Sequence, residues 1–286
     1  MAGSAAGIAQ ASQIIDRNAG NVKIRVTKAG IAQVSYAARG RKFKVLAWGA
    51  ANATLPAPGA KQQVFTVNYS NGFGTPYAKL GRNFPDACRR YDGPRLPWMV
   101  AACKAPDGSY WVLQRWQRML PNYGLAPRGN QRQSELRLSH WSGELPVLTV
   151  KTDWALSGRY EHLYGSLVYN GQPLYGFKTN RFGAPLDKFG VLLYLDAFNS
   201  AYGAGWKRAI SFVTHKPNGV FCSELAPRGG RPAGKGSKYR MTVSMVGALP
   251  DLYWQGTSPG RYNRAKDDAA NADQAKNFPS NDCRPS

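Results

Sequence analysis

A chain of 286 residues with 43% hydrophobic and 12% aromatic side chains can build a core, which excludes a wholly disordered protein. Its 38 Lys and Arg against 16 Asp and Glu leave a net charge of +22 and a pI near 10.1, which points to a negatively charged partner. No stretch approaches the ~18 apolar residues of a membrane-spanning helix, and the best run, residues 191–195, is far too short.

In chain order, residues 2–8 are small and uncharged, with none of the basic stretch and apolar run of an intact signal peptide; they fit the start of a mature exported chain. Residues 5–16 are a candidate short helix. Val22, Ile24 and Val26 then alternate with Lys23 and Arg25, the pattern of a strand with one buried and one basic, wet face. Phe43, Val45 and Ala47 repeat it after an Arg39-Gly40-Arg41 turn, and residues 63–69 form a further strand. Three hairpins follow, centred on Pro106-Asp107-Gly108, Asn170-Gly171 and Pro217-Asn218-Gly219. Asn-Gly and Asp-Gly tolerate the positive φ that tight hairpin turns demand. Strands are also predicted at 147–152, 191–196 and 239–246, and a polar helix at 263–276.

Many short strands punctuated by 31 Gly and 19 Pro give an all-β fold, an antiparallel sandwich or jelly-roll-like barrel with short peripheral helices. A Pro-, Gly-, Asn- and Gln-rich break at 121–135 divides a smaller N-terminal β unit, 1–125, from a larger one, 126–260, followed by a polar tail, 261–286. A single domain over 20–256 is the alternative.

The four cysteines, Cys88, Cys103, Cys222 and Cys283, form no C-x-x-C pair of a zinc ribbon or redox motif. Two disulfides, Cys88–Cys103 and Cys222–Cys283, suit an exported protein; four buried thiols are the alternative. The first bridge closes a short Pro-containing loop, and the second ties down the polar tail.

Between Pro185 and Cys222, the block Pro185-Leu186-Asp187, Ala197-Phe198-Asn199-Ser200-Ala201-Tyr202-Gly203, Gly205-Trp206-Lys207-Arg208 and Thr214-His215-Lys216-Pro217 resembles one in uncharacterised secreted bacterial proteins. The resemblance contains no catalytic motif and implies export alone.

Enzyme signatures fail on chemical grounds. Gly256-Thr257-Ser258-Pro259-Gly260 fits the G-x-S-x-G nucleophile elbow, but Pro259 has no N–H to offer an oxyanion. Gly229 through Lys235 mimics a phosphate loop, yet Gly236 replaces the Mg²⁺-binding hydroxyl and a strand follows where a helix is needed. His140, His162 and His215 have no metal-ligand spacing, so no metal and no cofactor are expected. His215 and Cys222 flank a turn, but a disulfide at Cys222 removes the thiolate that a Cys–His pair requires. Asp187, Asp196, Glu224, Glu135 and Glu144 are candidate glycosidase carboxylates whose competing fate is pairing with Arg and Lys.

Two concentrations of positive charge remain. Arg228, Arg231, Lys235 and Lys238 occupy a Gly- and Pro-rich, acid-free stretch that reads as a mobile basic loop. Arg115, Arg118, Arg128, Arg132 and Arg137 are interleaved with or flanked by Trp111, Trp116, Tyr123 and Trp141, as in a surface where guanidinium forks take anions and aromatic faces stack. The site expected is thus Arg115, Arg118, Trp116, Arg128, Arg132, Arg228, Arg231, Lys235 and Lys238. The leading function is a secreted or envelope protein that binds an anionic polymer (nucleic acid, acidic polysaccharide or wall polymer) without catalysis. The alternatives are a hydrolase of such a polymer, a glycosidase or a nuclease using one of the histidines, and a structural envelope protein.

Overall fold

The computed structural model describes residues 12–70, 80, 83–119, 132–174, 191–198, 205–208, 211–215, 219–225 and 236–277. Alternating apolar residues and turn chemistry fold these into four antiparallel sheets, so the chain is all-β. The first sheet orders β1 (Gln13–Arg17), β8 (Arg132–Trp141), β7 (Tyr110–Met119) and β6 (Met99–Lys104). The second runs β2 (Gly20–Val26), β3 (Ala32–Ala38), β4 (Arg41–Gly49) and β5 (Phe65–Asn68). The third joins β9 (Val147–Ala155), β10 (Tyr160–Tyr169), β15 (Val220–Leu225) and β14 (Ser211–His215), with β11 (Gln172–Pro173) closing the hairpin after β10. The fourth orders β13 (Trp206–Arg208), β12 (Leu192–Phe198), β16 (Lys238–Ser244) and β17 (Leu252–Thr257).

The hairpin chemistry behaves as expected. Asn170 and Gly171 adopt φ of 50° and 70°, and Arg39 and Gly40 adopt 49° and 70°, so both two-residue turns match the twist of their strands. The predicted helix at 5–16 is corrected in its described part: Gln13–Arg17 is a strand, because its ladder with β8 satisfies the backbone and Ile15 is buried in the core. Residues 5–11 lie outside the described residues. The polar helix is present as α1 (Arg264–Asn277), capped where the Asn263 side chain accepts the Lys266 amide at 3.0 Å.

The first sheet is buried on both faces. Trp111, Leu113, Leu136 and Leu138 project toward β2–β5 and build one core with Val34, Val45 and Ala47. Val112 and Trp141, on the opposite face, join a second core with Leu163, Phe221, Leu195, Tyr239 and Met241 from the third and fourth sheets. Position 125/126 falls between β7 and β8, which pair over ten residues each, so the segments on either side of it share this middle sheet.

Cys88 and Cys103 are bridged with 15 residues of separation. The bridge holds residues 86–89 beside two strands: the Ala87 amide donates to the Val26 carbonyl at 2.7 Å, and Arg89 and Lys104 exchange backbone bonds of 2.9 and 3.2 Å. Cys222 is also disulfide-bonded, so no cysteine among the described residues is free, and its expected partner Cys283 lies outside them. No described helix is long and apolar enough to cross a membrane.

Candidate anion-binding face

The tryptophans of the arginine- and tryptophan-rich stretch read from the sequence do not lie on a surface. Trp111 and Trp141 are fully buried and Trp116 is 3% exposed, so none of the three offers a face for stacking. The Trp116 indole N–H donates to Asp251 at 2.8 Å, and the Arg137 guanidinium lies 5.4 Å from the Trp116 ring. Arg137, itself 3% exposed, is held by Glu135 at 2.8 Å and by Asp251 at 3.6 Å. Both faces of this sheet are covered: Arg137 and Trp116 share the face of β8 and β7 that carries Val112 and Trp141, and desolvation there requires that the guanidinium be paired.

Arg115 is exposed, with one guanidinium nitrogen donating to the Ala19 carbonyl at 2.8 Å. Arg118 and Arg132 lie at the far end of the β7–β8 ladder, opposite Gln133 and Met119. Lys238 begins β16 and is exposed. Arg128, Arg228, Arg231, Lys235 and Tyr123 lie outside the described residues, as does Asp187.

Three of the catalytic candidates, His140, Glu135 and Asp196, are held in contacts within the fold. His140 stacks on Trp111 with ring centroids 3.8 Å apart, and its two nitrogens meet the Ala50 carbonyl at 3.1 Å and Ser109 Oγ at 2.9 Å. Glu135 is committed to Arg137, and Asp196 pairs with Arg240 at 2.9 Å. Glu144 and Glu224 are exposed. Among the described residues, no group of three or more His, Cys, Asp or Glu is arranged to hold a metal ion.

The cations that do gather on one surface belong to β2–β5. Between Asp16 and Asp86 the chain has no acid at all, yet it carries Arg17, Lys23, Arg25, Lys28, Arg39, Arg41, Lys42, Lys44, Lys61, Lys79 and Arg82. Composition by halves or by loops conceals this run; a window scored for missing acids finds it. The sheet sorts it by alternation. Val34 pairs with Val45 and Ile24 on the core side, so Lys23, Ser35 and Lys44 form one cross-strand row on the other side, with Lys42 opposite Ala37 in the next. Strand spacing puts Lys23 and Lys44 about 9.6 Å apart in backbone, and Lys42 and Lys44 about 6.8 Å apart. All three lysines are exposed.

The same face is covered at its other end. Arg25 bonds the buried Gln33 side chain and lies 5.1 Å from the Phe84 ring, and Leu46 is fully buried. At the hairpin, Arg39 grips Asp16 through two bonds of 2.6 and 2.7 Å. Partial burial pushes the Asp16 carboxyl up, but bonds from Arg39, the Arg17 amide and Tyr36 outweigh it and hold the pKa below its ordinary 3.8. The Asp16 carboxylate is therefore already paired. A cleft of about 600 Å³ opens beside Lys23, lined by Val22, Lys23, Ile24, Arg25, Ser35, Ala101 and Ala102. It offers two cations and a hydroxyl above a small aliphatic floor, which suits an anionic group with an apolar body.

No protein-family model matches this chain, and no curated protein matches it in sequence.

Proposed function

We propose that this is an exported protein that binds an anionic polymer, without catalysis, through the lysine rows of β2–β4 and the adjoining cleft. The observation that carries the reading is a sheet face with Lys23, Lys42 and Lys44 exposed and no acidic residue on any of its four strands. Lysines held on a rigid sheet attract phosphate, sulfate or carboxylate groups as point charges, with register fixed by the ladder rather than by base stacking. Export is supported by the Cys88–Cys103 bridge, since such bonds persist in oxidising compartments.

The test is a salt titration of retention on heparin and on DNA, for the native chain and for the triple variant Lys23→Gln, Lys42→Gln, Lys44→Gln. Retention at low salt should be strong and should weaken steeply as salt rises. On DNA the slope should be shallower by about 0.9 for every phosphate that the variant no longer neutralises. Absence of retention at low salt overturns the proposal. Equal retention of the variant moves the interface elsewhere, to the basic stretch of sequence carrying Arg228, Arg231 and Lys235.

A further inference from the structure

The C-terminal helix docks on the third sheet through its polar side. Asp267, Asn271 and Gln274, spaced to share one stripe, face the sheet, with Asp267 and Gln274 only 7% and 1% exposed. Beneath them β9 and β10 place Asp153 opposite His162, and His162 stands opposite Glu224 of β15, so the three occupy one row on one face. Asp153 is fully buried and its Oδ2 has no donor facing it, while the Asp267 carboxyl lies against it. A fully buried carboxylate with an unpartnered oxygen is costly, and a proton on Asp153 supplies the missing donor. His162 is 5% exposed; its Nε2 points at Gln274 Oε1, an acceptor, at 3.3 Å, and its Nδ1 has no partner. That arrangement fits a neutral imidazole with the proton on Nε2.

We propose that docking of α1 puts a proton on Asp153 and takes one from His162, making the helix a cover whose release restores an Asp–His ion pair on the sheet. The other charged and titratable groups facing the row fit this. Glu224 stands next to His162 and favours its cation once the helix is away. Lys151 of β9 bonds Asp273 of the helix, which neutralises that acid. Burial first, then the charges of Asp153 and Asp273, pushes the Tyr164 phenol up to about 12, so it stays neutral.

The two titrations have opposite signs. Burial, reinforced by Asp267 against the pull of the Trp154 amide, raises Asp153 from 3.8 to about 7, so its contribution to docking is full below 3.8 and is lost as pH rises through 7. Burial lowers His162 from 6.5, against Gln274, the Trp154 backbone and Asp267, so its contribution is full above 6.5 and is lost as pH falls. Where the two windows overlap, the slopes oppose one another.

Hydrogen exchange of the α1 amides between pH 5 and 8, corrected for intrinsic rates, tests this in the full chain, with β10 amides as the folding control. Below pH 6.5 the native opening equilibrium should depend on pH less steeply than that of either variant. In His162→Gln it should rise about tenfold per pH unit up to about pH 7, and in Asp153→Asn it should fall about tenfold per unit up to about 6.5. Parallel slopes in all three proteins, or a flat response in either variant, overturn the proposal. Asp153→Asn retains a donor toward Asp267, so its slope decides the matter even if His162→Gln loses its β10 protection.

Discussion

Arg137 and Lys23 carry the same charge in opposite settings. Arg137 lies in the middle sheet with Glu135 and Asp251 around it, sealed from water, and Trp116 and Ser12 complete the network by bonding Asp251 at 2.8 and 2.5 Å. Lys23 stands on the open side of an outer sheet, among other lysines and without an acid. The first charge fixes structure and the second faces solvent. Local charge density does not separate these two fates; whether the sheet is covered on both faces or open on one does.

The sharpest way to break the comparison is Arg137→Met. It takes the buried cation away from Asp251 and from Glu135, which keeps Arg17 at 3.7 Å, and a loss of about 3–5 kcal/mol in denaturant unfolding is expected. A loss below about 1 kcal/mol would make the trio a solvated cluster after all. Next in size, replacing both Cys88 and Cys103 by Ala should cost about 3 kcal/mol in the chain-entropy description of a loop of this length. It should also loosen residues 86–89, seen as faster exchange of the Ala87 amide.

The lysine triple variant should shift stability by less than about 0.5 kcal/mol, since exposed side chains away from caps and cores contribute little. A large fall in its thermal midpoint would show that these cations are structural and erase the contrast with Arg137. The smallest effect belongs to Asp16→Asn. Because the Asp16 pKa is depressed, its stabilisation is present above about pH 4 and disappears as pH falls through the lowered value. Native and variant melting curves should therefore differ slightly at pH 7 and coincide near pH 2.

The fold was legible where alternation and turn chemistry coincide, as in β2, β4, the Pro106-Asp107-Gly108 hairpin and the Asn170-Gly171 turn. It was hidden where a strand is wet or polar on paper. Arg132–Trp141 contains two Arg, a Glu and a His, and reads as surface because the partners that let it be buried, such as Asp251, lie far away in sequence. Its aromatic neighbours misled for the same reason: Trp116 and Arg137 touch in the core, so interleaving looked like a binding surface. The acid-free run was visible in the sequence; its sorting onto one face required the register of β3, whose residues Ala32–Ala38 carry no charge to draw attention.

The middle sheet has one further consequence. Because β1, β6 and β7 lie on one side of position 125/126 and β8 on the other, severing the backbone there would take β8 out of the middle sheet, removing Leu136 and Leu138 from one apolar interior and Leu96 and Val112 from the other. Neither piece should hold its shape alone. Mixed together, they should regain native fluorescence with second-order kinetics, each acting as the template on which the other folds.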